Sequence, residues 1–328
     1  MRPSTTGSRA APMAALFAGC FLLAELGSGN IPFPQIVHPF VLVFLAVAYG
    51  LPVLLIREAM VRWRLGIAGA AVLGLAYGLY NEGVVAKTIF LTAGPPLFPS
   101  FWGYGMLGGV NVPWLCTIAP WHSMNAVLYP ILIVSALWPG QAREPWLGEP
   151  QMAAFALLSS ALGIFAFFKA PPGDAPALAF AGLVGAIAAL ALLARSLGPA
   201  ADVSAPARGR LSDLARGFLG APLLYFGPIQ WIAARRVPLG VFLALAMGAL
   251  ALLALLLRAP ERRSPDALAL FAIGNGLAGS VIRMATQTKS PYPWEPAVVG
   301  SLFLLGLLAV AWRIYSPQNA LIDTRPFT

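Results

Sequence analysis

Long apolar stretches, separated by short polar or glycine- and proline-containing segments, follow one another along nearly the whole chain. A helix needs about 20 mainly apolar residues to cross the hydrocarbon core of a membrane. By that criterion the pattern predicts ten transmembrane helices, which cover approximately residues 12–30, 36–56, 66–88, 114–138, 151–169, 176–194, 217–234, 238–257, 267–286 and 297–315. The predicted fold class is therefore all-α, a polytopic bundle of membrane helices.

The seventh predicted span, 217–234, is the weakest, because Gly220, Pro222, Gly227, Pro228 and Gln230 interrupt it. If this segment re-entered the membrane instead of crossing it, the orientation of every later span would be reversed. With the N-terminus inside, the later basic cluster at 258–263 lies on the inner side only if an even number of crossings precedes it. The sequence therefore favours ten crossings.

Composition supports a membrane protein and leaves no room for a separate soluble domain. Hydrophobic residues make up 59% of the chain and charged residues only 10%, whereas soluble domains carry about 25% charged residues. We predict one membrane domain, residues 1–328, built from a six-span half (1–194), a cytoplasmic linker containing glycine and proline (195–216) and a four-span half (217–328).

The positive residues predict the orientation of the chain. Lys and Arg are enriched in cytoplasmic segments of membrane proteins, and both termini are predicted to be cytoplasmic in a plasma (inner) membrane. The pair Arg235–Arg236 departs from this pattern and falls on the outer side. The residues assigned to the inner side are Arg2, Arg9, Arg57, Arg62, Arg64, Arg195, Arg208, Arg210, Arg216, Arg258, Arg262 and Arg263.

The net charge of +9 does not indicate a nucleic-acid-binding protein. Its positive residues lie in short clusters at the ends of apolar spans, whereas nucleic-acid binders concentrate them on one basic face. Membrane lipids are the expected partners of these clusters, and no nucleic acid is expected.

Glu82 lies within the third predicted span, at the end of a stripe of small residues formed by Ala70, Gly74 and Gly78. A carboxylate at the bilayer centre costs roughly 2.5 to 3.5 kcal/mol, so it must face protein or a water-filled cavity and marks a functional-site hypothesis. Small residues four apart allow another helix to approach closely. The stripe therefore predicts that Glu82 faces a neighbouring helix.

Three ionisable side chains on different spans are predicted at one depth. With a rise of about 1.5 Å per residue, Glu25, Glu82 and His122 each lie on the order of 7–10 Å below the outer boundary. Proton relays in pumps and transporters use such residues. We predict that Glu82 and His122 handle protons or act as catalytic groups, in a site that opens to the outer side.

Further polar residues around this predicted site are expected to bind the substrate. Arg283, in the ninth span, is the predicted counter-ion of Glu82 or Glu25, with a structural ion pair as the alternative. The remaining substrate-binding candidates are Glu25, Asn125, Asn275, Arg235 and Arg236.

The segment 93–113, between the third and fourth spans, is long, uncharged and rich in glycine and aromatic residues. Trp and Tyr rings favour the membrane interface. The segment therefore predicts an interfacial anchor or, as the alternative, a lid or re-entrant loop over a cavity.

Other titratable groups predict no chemistry of their own. Glu58 and Arg62, four residues apart, are expected to form a solvated ion pair at the cytoplasmic end of the second span. Cys20 and Cys116 lie in or beside apolar spans without a CxxC pair, which favours buried inert thiols. The chain has two histidines and no short metal-ligand spacing. No metal or other cofactor is therefore predicted.

The Asn81–Glu82 segment followed by His122 partly resembles the CPBP (Abi) intramembrane proteases. That family has a Glu-Glu pair with a downstream Arg, followed by a histidine on a later helix. Here Asn81 stands at the first acidic position, Lys87 lies one step beyond the basic position, and a third histidine-bearing element has no counterpart. In size and topology the chain also resembles small drug/metabolite-type permeases, but it lacks their duplicated halves. We assign it to neither family.

These patterns leave three functional hypotheses. The first is transport by a permease, with an outward-facing polar cavity, whose substrate is a small molecule or an ion. The second is a membrane-embedded enzyme, protease-like or lipid-modifying, that uses Glu82 and His122 as acid and base. The third is a structural membrane subunit, whose polar residues specify helix packing.

Overall fold

A computed structural model describes residues 8–93, 98–169, 175, 177–198, 209–261, 264–286 and 292–316. Most of the predicted cytoplasmic linker, residues 199–208, lies outside the described residues. So do four of the arginines assigned to the inner side, Arg2, Arg208, Arg262 and Arg263.

Long apolar helices dominate the fold, and five of them are regular α-helices throughout. Their sequences are rich in apolar residues such as Leu and Ala, as is typical of helices within a membrane. They are Glu149–Lys169, Ala177–Ser196, Leu239–Glu261, Pro265–Thr286 and Glu295–Tyr315.

The other long helices contain a π-helical stretch, in which a backbone N–H bonds to the carbonyl five residues earlier. Helix 10–26 consists of Ala10–Phe21 and the π-helical Leu22–Leu26. In each of the remaining four helices, the second segment named here is the π-helical one. Helix 39–62 consists of Pro39–Leu45, Ala46–Gly50 and Leu51–Arg62, and helix 67–85 consists of Ile67–Leu79 and Tyr80–Val85. Helix 112–137 consists of Val112–His122, Ser123–Leu128 and Tyr129–Leu137, and helix 211–234 consists of Leu211–Ala221, Pro222–Phe226 and Gly227–Ala234.

Short elements connect these helices. One turn of α-helix covers Phe33–Ile36, and 3₁₀ turns cover Thr88–Phe90, Pro99–Phe101 and Pro139–Gln141. The strands Met106–Leu107 and Val110–Asn111 form a small antiparallel hairpin, with Met106 opposite Asn111 and Leu107 opposite Val110.

Six helices of the described structure are long and apolar enough to cross a membrane, which supports the prediction of a multi-pass all-α membrane protein. They are Pro39–Arg62, Glu149–Lys169, Leu178–Ser196, Leu239–Leu257, Pro265–Thr286 and Glu295–Tyr315. Helices 67–85 and 112–137 are not among them, and both carry polar residues within their length. The count of ten crossings and the cytoplasmic termini therefore remain predictions.

Helix 265–286 forms the centre of the bundle. In its most apolar 18-residue window, 78% of the residues are buried, compared with 11% for helix 177–196. It packs against helix 211–234, helix 295–315 and the second half of helix 112–137. Helices that are apolar all round but mostly exposed, such as 177–196, face the surrounding hydrocarbon instead.

Two glycines allow helices 211–234 and 265–286 to pack backbone against backbone. A Cβ atom at Gly217 would overlap the carbonyl oxygen of Phe271, and one at Gly274 would overlap that of Leu214. Such close approach is a common way to associate helices in membranes, where no hydrophobic driving force exists between them. Asn275 therefore lies in an unbroken, tightly packed helix.

Glu58 is completely buried, so the prediction of a solvated Glu58–Arg62 pair is wrong. Its Oε1 accepts hydrogen bonds from Arg57 Nη1 (2.7 Å) and from the backbone N–H of Trp146 (2.8 Å), while Arg62 Nε lies 3.6 Å from Oε2. The guanidinium of Arg57 also stacks 3.5 Å from the centre of the Trp146 ring. The loop after helix 112–137 folds back over Glu58, which sequence spacing within one helix could not indicate.

We predict that Gly217→Ala destabilises the protein, because the new methyl group must displace the backbone of helix 265–286. Overpacking of this kind costs roughly 1–3 kcal/mol. The melting temperature of the purified protein in detergent should fall. The matched control is Gly306→Ala, since nothing lies within 4 Å of a Cβ at that position, and it should melt at or slightly above the wild-type temperature. Equal melting of the two variants would contradict this packing.

Candidate functional site

The predicted stripe of small residues on helix 67–85 packs against helix 112–137. A Cβ atom at Gly78 would lie 2.6 Å from the Cα of Ala119, and one at Gly74 would overlap Ser123. Because the two backbones approach so closely, polar side chains further along the same faces come within hydrogen-bonding distance. Glu82 and His122 are such a pair.

Glu82 and His122 form a buried carboxylate–imidazole pair. Nε2 of His122 lies 2.7 Å from Oε1 of Glu82, and the two residues are 2% and 8% exposed respectively. A hydrogen bond of this length suits either a charged imidazolium–carboxylate pair or a neutral imidazole that donates to the carboxylate. Nδ1 of His122 is buried and makes no hydrogen bond within the described structure. The pair is therefore poised to hold or transfer one proton.

The second oxygen of Glu82 connects the pair to the loop that precedes helix 112–137. The Thr88 hydroxyl donates to Oε2 of Glu82, and Nε1 of Trp114 donates to the Thr88 hydroxyl oxygen over 2.9 Å. Three aromatic rings surround the Trp114 ring, with centroids at 5.3–5.4 Å; they belong to Phe98, Phe101 and Trp102. A continuous set of contacts therefore leads from the rings of this loop through Trp114, in the first turn of helix 112–137, and Thr88 to Glu82.

Asn111 holds the same loop in shape. Its side-chain oxygen accepts from the backbone N–H of Trp114 (3.0 Å) at the start of helix 112–137, and its amide nitrogen donates to the carbonyl of Phe101 (2.7 Å). Asn is a favoured N-cap residue because it satisfies an N–H that the helix leaves unpaired. Asn111 therefore fixes both the start of the helix and the position of the preceding loop.

A second buried carboxylate, Glu25, is connected to the imidazole through Tyr49. The Tyr49 hydroxyl donates to Oε1 of Glu25, and the Asn30 side chain donates to Oε2 over 2.7 Å. The Tyr49 ring centroid is 5.7 Å from that of His122, and the Tyr77 centroid is 5.9 Å from it. The structure thus brings Glu25 close to the Glu82–His122 pair, and Tyr49 contacts both Glu25 and the imidazole.

The polar residues of this site lie in or directly beside π-helical stretches. Glu25, Tyr49, Glu82 and Asn125 each belong to one, and His122 immediately precedes the one that contains Asn125. In two of them the closing bonds span five residues, from the N–H of Gly27 to the carbonyl of Leu22 and from Ala86 to Asn81. Single π-helical turns insert an extra residue into a helix and occur frequently at functional sites. Here they turn polar side chains of four helices towards one region.

Asn125 and Asn275 join the site to the central helix. The amide nitrogen of Asn275 donates to the side-chain oxygen of Asn125 over 2.9 Å, and both residues are buried. Asn125 lies three residues after His122, on the same face of helix 112–137. This hydrogen bond links the first half of the chain to the second beside the Glu82–His122 pair.

Arg283 does not pair with Glu82 or Glu25, so its predicted role as their counter-ion is wrong. Its Nη2 contacts Oε1 of Glu295, and its Nη1 donates to the carbonyl of Leu26. The same Glu295 oxygen accepts from the backbone N–H of Phe33 over 2.9 Å. Arg283 lies near the end of helix 265–286 and Glu295 is the first residue of helix 295–315, which packs against it, so the two charges meet at the ends of two packed helices. This contact corresponds to the structural alternative.

Arg235 and Arg236 are exposed and do not reach the Glu82–His122 pair. The Arg235 guanidinium lies 4.6 Å from the Trp231 ring centre, and Arg236 donates to the carbonyl of Trp102 over 3.1 Å. Both follow the last turn of helix 211–234, at the surface. The structure therefore does not include this predicted pair in the buried site.

Sequence reasoning missed several residues of the site, among them Tyr49, Tyr77, Thr88 and Trp114. Tyr and Trp in apolar helices are commonly interfacial anchors, so the presence of these residues did not indicate a functional role. A Thr shortly after an intramembrane Glu could have been noticed as a hydrogen-bond donor. Its use depends on the turn at Lys87, which has a positive φ of 56° and reverses the chain towards Glu82.

The site does not form a metal centre within the part of the chain that the structure describes. No group of three or more His, Cys, Asp or Glu side chains there could hold a metal ion. Glu82 and His122 alone provide two ligands, whereas protein sites for zinc use three or four.

The fold and the buried polar site define a multi-pass helical membrane protein. A family model described as an uncharacterized membrane protein family matches residues 16–321. Because this match covers nearly the whole chain, the protein belongs to that membrane protein family. Comparisons with curated proteins and with solved structures found no match.

We predict that Thr88→Val loosens the loop 98–111, since Trp114 Nε1 and Glu82 Oε2 each lose a hydrogen-bond partner. The net loss of about 1 kcal/mol should speed hydrogen–deuterium exchange of the loop amides by roughly fivefold. The control is Thr286→Val, whose hydroxyl bonds within its own helix at an exposed position, and it should leave the loop unaffected. Unchanged exchange in Thr88→Val would refute this connection.

We predict that Arg283→Met strongly destabilises the protein, because it leaves the Glu295 carboxylate buried without its cation. Breaking a buried ion pair in this way costs about 3–5 kcal/mol. The double variant Arg283→Met/Glu295→Gln should recover part of the lost melting temperature, since no unpaired charge remains. Glu144→Gln provides the control, as the Glu144–Arg9 pair is exposed and 3.9 Å long. Wild-type melting of Arg283→Met would show that the pair carries little stability.

Proposed function

We propose that the protein is a proton-coupled permease in which the Glu82–His122 pair carries the transported proton. The observation that supports this most directly is the 2.7 Å contact between a buried carboxylate and a buried imidazole on two packed membrane helices. Glu25, connected to the imidazole through Tyr49, provides a second carboxylate for a relay. Intramembrane chains of Glu, Asp and His residues are the usual proton pathways of pumps and transporters.

In this proposal, the described conformation is the occluded state of the permease. Glu25, Glu82 and His122 are all at most 8% exposed, so the predicted outward-facing polar cavity would form only when the site opens. The loop 98–111 is the proposed gate, because Trp114 and Thr88 connect it to Glu82. Opening the gate would break the hydrogen bond from Thr88 to Oε2 of Glu82 and so change how strongly the Glu82–His122 pair holds its proton. Such coupling between a gate and a proton site is what transport against a gradient requires.

In the proposed topology, the chain crosses the plasma (inner) membrane ten times and both termini are cytoplasmic. Two observations support it. Helix 211–234 is continuous from Leu211 to Ala234, and Arg236 at its end contacts the loop that precedes helix 112–137. Both features suit a full crossing by the segment that sequence reasoning found weakest.

A membrane-embedded enzyme acting on a lipid or peptide is the second candidate. The unpaired Nδ1 of His122 and the adjacent carboxylate form an acid–base pair that could serve such chemistry. In this case the same two residues would be essential, but activity would not depend on a transmembrane gradient.

The deciding experiment uses the purified protein in liposomes that contain a pH-sensitive dye. Panels of alkali cations, amino acids, sugars and carboxylates are added outside under an imposed pH gradient. We expect at least one class of solute to change the internal pH through the wild-type protein. Glu82→Gln and His122→Asn should abolish that response, because neither variant can pass the proton along the pair.

Glu149→Gln is the matched control, since Glu149 is exposed at the start of its helix, and it should keep the full response. If folded wild-type protein and Glu82→Gln give the same response to every solute, the proton role of the pair is wrong. Turnover of phospholipid or peptide in detergent, lost in both site variants, would instead establish the enzyme.

A further inference from the structure

An apolar cavity of about 210 Å³ lies against the helices that carry Glu82 and His122. Helix 67–85 contributes Leu79, three residues before Glu82, and helix 112–137 contributes Ala119, three residues before His122. Leu190, Tyr225 and Ala246, from three other helices, complete the walls. The cavity is thus built where five helices meet, beside the polar site but not part of it.

The walls of this cavity offer almost nothing to a polar ligand. Its described lining consists of leucines, alanines, a proline, a methionine, the Cys116 thiol and Tyr225. The Tyr225 hydroxyl already donates to the carbonyl of Cys116, so it has no hydrogen to offer a ligand. Apolar cavities of about 150 Å³ stay free of water and bind small apolar molecules. An apolar ligand is therefore the chemistry that fits.

The surroundings of the cavity identify the source of that ligand. Leu190 on helix 177–196 and Met247 on helix 239–261 belong to its lining. Both helices are apolar enough to span a membrane, and their neighbouring side chains Leu193 and Leu245 are 48% and 46% exposed. Exposed leucines on such helices contact lipid chains in a membrane. The cavity therefore adjoins the hydrocarbon between these two helices.

We propose that this cavity binds one acyl chain of a membrane lipid, which enters between helices 177–196 and 239–261. An empty cavity would forfeit the dispersion contacts of its walls, and lipid chains are the apolar molecules present at high concentration next to it. The bound chain would pack against both helix 67–85 and helix 112–137 and so stabilise the contact between them. This binding does not require that Glu82 and His122 carry protons.

The test is photo-crosslinking in liposomes of phosphatidylcholine that carries a diazirine on its acyl chain. Adducts are mapped by mass spectrometry of peptides. We expect adducts on Ala119 or Pro120 and on Tyr225. These residues are buried, so lipid that only surrounds the helix bundle does not reach them. Adducts on Leu245 should form as well and report ordinary surface lipid.

Ala246→Phe fills the cavity and should reduce the adducts on the buried residues several-fold, while those on Leu245 persist. Ala244→Phe, on the exposed face of the same helix, is the matched control and should leave both sets unchanged. If Ala246→Phe does not fold, Leu250→Phe narrows the same cavity. Absence of buried adducts in the wild type, or equal amounts in the cavity-filling and control variants, would overturn the proposal.

Discussion

The structure depends on one constraint: hydrocarbon cannot solvate charge, so each ionisable side chain that enters the bundle needs a partner in the protein. Glu82 meets this requirement through His122 and Thr88, Glu25 through Tyr49 and Asn30, and Glu295 through Arg283. These partners come from other helices or loops, and each pairing therefore also fixes how its segments pack. The buried polar residues thus determine how the segments that carry them pack, and some of the same residues form the candidate site.

The buried ionisable groups differ in whether they retain hydrogen-bonding capacity. At one end Glu58 holds a connecting loop through Arg57 and the Trp146 backbone, and its contacts are those of a structural clamp. Towards the other end, the Glu82–His122 pair has an unused imidazole nitrogen, a nearby second carboxylate and a connection to a loop. A closed ion pair such as Arg283–Glu295 mainly stabilises, whereas a pair with remaining capacity can move a proton.

The π-helical stretches and close glycine contacts explain how regular helices create this arrangement. Glycines bring helices 67–85 and 112–137 together, and an extra residue in the π-helical turn re-aims the following side chains. A π-helical turn is less stable locally than a regular α-helical turn, and the opening of the site in the permease proposal would occur at these turns. Under the lipid-binding proposal, an acyl chain in the apolar cavity would contact the same two helices.

The sequence by itself determined the class of the protein, because the length and composition of apolar segments follow from the thickness and chemistry of the membrane. The sequence also predicted that Glu82 faces a neighbouring helix, because the four-residue spacing of Ala70, Gly74 and Gly78 places them on one face of a single helix. Tertiary structure alone decided the partners. Arg283 meets Glu295, Glu58 is buried by a distant loop, and Tyr49, Thr88 and Trp114 join the site, because contacts between segments far apart in the chain depend on packing that no local spacing encodes.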